Sequence, residues 1–145
     1  MDLPLVSVPV EGGCSELIVP GRFFAYRALD SAERGHSVSR RSLIRFGLFG
    51  RATSVFIDED SGEVLWGLAA DDLVLVNSSV AQFTDCMCRL ADAFPFYSAN
   101  SDHDEWETAS QRVQDLVCGI DPAAYFEGSL WYEFRWDVSM GDFHE

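Results

Sequence analysis

The sequence predicts an α+β fold: one domain with a central, mostly antiparallel sheet and two amphipathic helices packed on it. Three observations carry this. Residues 53–77 alternate apolar runs with turn residues, which is the pattern of a strand meander. Two later stretches repeat apolar residues at helical period. The chain has 145 residues, 48% of them hydrophobic, which suits one compact core and is too short for two ordinary domains.

In chain order, LPLVSVPV and ELIVP each read as a short strand, and Pro4, Pro9 and Pro20 confine these strands to edges or loops. RFFAYRALD fits a strand or a short helix. Residues 34–41 have three arginines with Gly35, Ser37 and Ser39, which is the composition of a solvated loop. SLIRFGLFG has a strand pattern interrupted by Gly47. TSVFI and EVLWGLA are then separated by Asp58, Glu59, Asp60, Ser61 and Gly62, a loop that suits an antiparallel hairpin. LVLV runs directly into Asn77, Ser78 and Ser79, residue types that cap helices by accepting from an unpaired backbone N–H.

The helices follow. Val80, Phe83, Met87, Leu90, Ala91 and Phe94 fall at offsets 0, 3, 7, 10, 11 and 14, one face of a helix that Pro95 stops. Trp106, Ala109, Val113, Leu116, Val117 and Ile120 repeat the same offsets. Asp102, Asp104, Glu105 and Glu107 gather at the start of this second helix, where the helix dipole favours acids, and Gly119 and Pro122 close it. The two stripes predict that both helices pack on one face of the sheet. In the last segment, SLWYEFRWDVSMGDFHE, the alternation from Trp131 to Val138 is compatible with a strand or a helix. The segment mixes Trp131, Tyr132, Phe134, Trp136 and Phe143 with Glu133, Asp137, Asp142 and Glu145, and Glu127 lies just before it. Aromatic anchors inside a charged rim can bind a protein. At helical spacing, however, Trp131, Phe134 and Val138 read as core.

The net charge is -14, and no lysine is present. Residues 1–51 carry seven arginines against five acids, and residues 52–145 carry three arginines against nineteen acids. So acidic a surface repels phosphates and anionic lipids, which argues against nucleic acid or membrane binding and favours a basic protein partner. Charge kept only for solubility is the plainer explanation. MDLPLVSVPV has an acid at position 2 and no basic segment, unlike a secretory signal, and no apolar run approaches bilayer length, so a cytoplasmic location is expected.

Cys14, Cys86, Cys88 and Cys118 form no C-x-x-C pair and read as buried or half-buried thiols. His36, His103 and His144 lack ligand spacing, so no metal or cofactor is expected. Asp58, Asp60 and Glu63 lack the frame of a calcium loop and read as a turn. His103 lies between Asp102 and Asp104, an arrangement in which an acid can orient an imidazole base. No nucleophile matches it, and capping already accounts for the acids. No nucleophile elbow, phosphate loop or dinucleotide fingerprint occurs. No catalytic residue is assigned.

One resemblance extends this reading. Val55, Ile57, Asp58, Gly62, Glu63 and Val64, then Val76, Asn77, Ser78, Ser79 and Phe83, resemble the core signature of the SUKH superfamily of immunity proteins, especially its fourth subfamily. Ile120, Asp121, Pro122 and Ala123 followed by Trp131 resemble that subfamily too. The family's usual L-x-x-x-G-L-P opening is blurred over residues 17–23. The resemblance implies an α+β immunity protein that binds a cognate toxin domain in the cytosol, often one acting on nucleic acid as a deaminase or nuclease.

Such a toxin needs a basic substrate groove, which an acidic protein can occlude. The expected partner-binding residues are Asp102, Asp104, Glu105, Glu107, Glu127, Glu133, Asp137, Asp142 and Trp136. Asn77 and Ser78 read as cap and turn. Two other functions remain open: an acidic adaptor or nucleic-acid mimic for a basic host protein, and a small enzyme using His103.

Overall fold

The computed structural model describes residues 3–10, 16–36 and 40–143. Cys14, His144, Glu145 and the serines at 37 and 39 lie outside them. Among the described residues the strands form a pair and a six-stranded sheet. The pair is β1 (Leu5–Pro9) with β2 (Glu16–Pro20), antiparallel, and Pro9 and Pro20 each end their strand. The larger sheet is an antiparallel meander in sequence order. It runs β3 (Arg22–Phe23), β4 (Tyr26–His36), β5 (Ser42–Phe49), β6 (Thr53–Asp58), β7 (Val64–Gly67) and β8 (Val74–Asn77).

Two expectations in the first third change. RFFAYRALD is neither one strand nor a helix, because Phe24 and Ala25 make a tight turn between β3 and β4. The predicted loop at 34–41 is shorter, since Arg34, Gly35 and His36 belong to β4 and pair with Ile44, Leu43 and Ser42. The arginines there do not simply point into solvent. Arg34 pairs with Glu59 at 3.0 Å, Arg45 with Glu33 at 2.8 Å, and Arg41 with Asp58 and Glu63. Strand pairing places Arg34 and Arg41 beside the acids of the β6–β7 turn and Arg45 beside Glu33 of the preceding strand, so these three arginines are paired on the sheet.

The hairpin turn works as predicted and does more. Asp58 Oδ1 accepts from the backbone N–H of Asp60 and Ser61, and Gly62, at φ 80, supplies the left-handed residue that lets the chain return. Burial pushes the Asp58 carboxyl up, but its hydrogen bonds from Arg41, Asp60 and Ser61 outweigh this and hold it below the usual range.

Among the described residues there are three α-helices, one more than expected. Helix α1 (Val80–Ala93) begins at Ser79, whose Oγ accepts from Gln82 N–H at 3.1 Å. Its buried Phe83 lies edge-on to Tyr26 and Phe46 of the sheet, at 5.5 and 6.0 Å. Helix α2 (His103–Ile120) buries Ala109, Val113 and Val117, as its stripe predicts, but packs chiefly on α1 and on α3 (Leu130–Ser139). Gly119 lies inside α2, and Asp121 caps its C-terminal end ahead of a 3-10 turn (Pro122–Ala124).

The segment left undecided between strand and helix is α3. Leu130, Trp131, Phe134, Arg135 and Val138 are buried along its inner face, with Trp131 and Phe134 against Phe23 at 5.9 and 5.5 Å. The second sheet face carries only a small cluster, in which Ala70, Leu73 and Leu75 cover Leu43, Phe56 and Leu65. The helices therefore shield one side, and residues 80–143 carry most of the net negative charge: three arginines against twelve acids, net -9 of -14.

Candidate protein-binding surface

Helix α3 separates its functions by face. Glu133, Trp136, Asp137 and Met140 sit at offsets 0, 3, 4 and 7, which places them on one stripe opposite the core. Trp136 is 44% exposed and Met140 69%, high values for such apolar side chains. Trp136 is nevertheless held in place: the Arg135 guanidinium lies 4.2 Å from its ring centroid, and Tyr132 packs on its other neighbour position at 6.1 Å. Arg135 is itself buried, with Nη2 donating to Glu107 Oε1 at 2.7 Å and with Nε and Nη1 finding no protein acceptor among the described residues.

The start of α2 meets the end of α3. Trp106 packs so closely on Gly141 that a Cβ there would stand 2.8 Å from the indole ring. Tyr97 Oη donates to the Val138 carbonyl at 2.6 Å and accepts from Phe143 N–H at 3.0 Å. Burial, with Asp142 nearby, pushes the Tyr97 hydroxyl above its usual pKa despite the bond from Phe143. Apart from Glu127, the acids predicted from two separate stretches thus lie toward one end of the molecule. Asp102, Asp104 and Glu105 line a cleft of about 330 Å³ with Phe96, Tyr97 and Arg112. Glu133, Asp137 and Asp142 lie close enough to interact: burial first, then Glu133 and Asp142, raises the Asp137 carboxyl above its usual range.

All eight predicted acids and Trp136 are exposed. Glu107 is committed to Arg135, whereas among the described residues no ion pair holds the other seven. Asp102 also caps α2 by accepting from Glu105 N–H at 3.0 Å. Glu127 is set apart. It precedes α3, whose ten residues span about 15 Å at 1.5 Å per residue, so it lies at the opposite end from Asp142. His103 is exposed and packs 6.2 Å from Trp106, and it makes no hydrogen bond with Asp102 or Asp104.

The reading of Asn77 and Ser78 as cap and turn is corrected. Ser79 is the cap, and Asn77, the last residue of β8, is fully buried. Its Nδ2 donates to Asp121 Oδ2 at 3.0 Å and to Cys86 Sγ at 3.6 Å, and its Oδ1 accepts from Trp131 Nε1 at 2.9 Å. Ser78 gives both its N–H and its hydroxyl to Asp121, at 2.7 and 2.8 Å. One buried polar cluster therefore joins the sheet, the end of α2 and α3, and burial pushes the Cys86 thiol beside it up to about 12. Cys88 and Cys118 are half-buried, as expected. The signal in the sequence was the set N-S-S, I-D-P and Trp131, which are distant in the chain and meet only in the fold.

These features define a class: a small α+β domain whose sheet is locked to its helices by a buried polar cluster, with an acidic helical surface. The SUKH-4 immunity protein model matches residues 16–137, and the chain belongs to that family. No curated protein and no solved structure matches it. Membership gives the role of an immunity protein, whose partner is a cognate toxin. No helix among the described residues is long and apolar enough to cross a membrane.

Proposed function

We propose that the protein neutralises a basic toxin domain acting on nucleic acid, by covering its substrate groove with the acidic end formed by α2 and α3. The observation that carries this is the exposed Trp136, braced by Arg135, among acids of which only Glu107 has an arginine partner among the described residues. A groove that binds nucleic acid is lined by cations that contact phosphates. Carboxylates at the surface of a -14 protein compete for those cations and steer association over distances near a Debye length. Inhibition is then occlusion and needs no chemistry from the immunity protein. Trp136 and Met140 supply the apolar contact at the centre, and Asp102, Asp104, Glu105, Glu133, Asp137 and Asp142 the charged surround.

Co-expression with its cognate toxin domain tests the proposal. The wild type should protect cells, and Glu133→Lys with Asp137→Lys should abolish protection without unfolding the protein. His103→Ala should protect fully, which separates occlusion from catalysis. Protection that survives both charge reversals would remove α3 from the interface.

A further inference from the structure

Beside α3, under the turn that joins β3 to β4, lies a groove of about 150 Å³. Its floor and walls are aromatic, with Phe24, Phe49, Trp66 and Phe143 among the lining side chains, and Glu133 and Asp137 stand at its rim. Phe24 adopts φ 48, a left-handed backbone that is strained for a bulky residue. Ring contacts hold it there, to Phe23 at 4.8 Å, Phe143 at 4.9 Å, Phe94 at 5.4 Å and Phe134 at 5.6 Å. The wall is preorganised before any partner arrives.

Volume and charge together select the occupant. Small-molecule sites enclose about 300–1,000 Å³, so this groove is small for a metabolite and suits one long side chain. An apolar anchor would bury the rim carboxylates with nothing to offset their lost hydration. A cation reverses that balance. Glu133 and Asp137 repel each other at i, i+4, and no ion pair relieves either among the described residues. An arginine stem can lie on the aromatic floor while its planar head stacks on a ring and pairs with a carboxylate, which lysine does less well.

We infer that this groove is a socket for a single arginine side chain of the partner protein, with the guanidinium held between the Glu133–Asp137 rim and the aromatic wall. The inference rests on the reading of α3 as partner surface only for where the arginine comes from; the socket itself can be tested without any toxin.

The probe is the capped peptide acetyl-Gly-Arg-Gly-amide, titrated into the isotope-labelled full chain while the Trp66 indole and the Ala25 and Phe143 amides are followed by NMR. These signals should move saturably. The citrulline peptide, of equal shape without charge, should bind at least about tenfold more weakly. Glu133→Gln and Asp137→Asn should each weaken the arginine peptide about threefold to fivefold, the size of a half-exposed ion pair. The socket is overturned if no groove signal moves, if acetyl-Gly-Leu-Gly-amide binds as well as the arginine peptide, or if only amides near Asp102 and Asp104 respond. A failed titration beside intact toxin neutralisation refutes the socket alone. A successful titration beside absent neutralisation leaves the socket standing and refutes the proposed function.

Discussion

Replacing Asn77 with alanine should remove much of what fixes the helices to the sheet. Asn77 is fully buried and holds two strong hydrogen bonds, from its Nδ2 to Asp121 and to its Oδ1 from Trp131. Alanine leaves the Trp131 indole N–H buried with no acceptor, at about 1–3 kcal/mol, and removes a hydrogen bond to a carboxylate, worth about 1.5–3 kcal/mol. Asp121 keeps both donors from Ser78, so its loss is partial. Together these give about 3–5 kcal/mol, a large share of the 5–15 kcal/mol typical of a folded domain. With a urea slope of about 2 kcal/mol/M, the midpoint falls by about 1.5–2.5 M. Circular dichroism follows the transition without relying on tryptophan. Combining Asn77→Ala with Trp131→Phe removes the orphaned donor, so the two losses should be sub-additive by about 1–2 kcal/mol. A midpoint shift below about 0.5 M for Asn77→Ala, or strict additivity, would refute the cluster as a structural lock.

Arg135→Met should change stability by less than about 1 kcal/mol, because two of the buried guanidinium nitrogens lack partners and the released Glu107 is half exposed. A urea-measured loss above about 2 kcal/mol would mean that those donors are satisfied in solution. The Asp137 carboxyl titrates above its usual range, so its contribution to stability is full at low pH and is lost as pH rises through the raised value. Asp137→Asn should therefore gain on the wild type between about pH 4 and neutrality, seen in paired urea transitions; a gain that shrinks with rising pH contradicts the assignment.

The strands from β5 onward and both long helices were legible because each rests on local signals: apolar periodicity, a turn at Asp58 and Gly62, and acids at a helix start. The third helix was not, since the sequence SLWYEFRWDVS has aromatics on both faces, and alternation and helical spacing both describe it. Its inner Trp131 and Phe134 are core, as expected, while Trp136 falls on the outer face, where Arg135 and Tyr132 pack against it. The role of Asn77 was hidden for a different reason. Its partners Asp121 and Trp131 are 44 and 54 residues away, and a serine neighbour offered a sufficient local explanation. Likewise, the separation of Glu127 from the other acids depends on the direction in which α3 runs, which composition does not encode. The convergence of Asp102, Asp104 and Glu105 with Asp137 and Asp142 became visible only once Trp106 was seen against Gly141.

The most direct test of the account is the association rate with the cognate toxin domain, measured over a range of salt. The wild type should associate faster at low salt, with the rate falling steeply as salt rises. Glu133→Lys with Asp137→Lys should slow association by about tenfold or more at low salt and flatten that dependence. An unchanged rate and slope would show that the acidic end of α2 and α3 is not where the toxin binds.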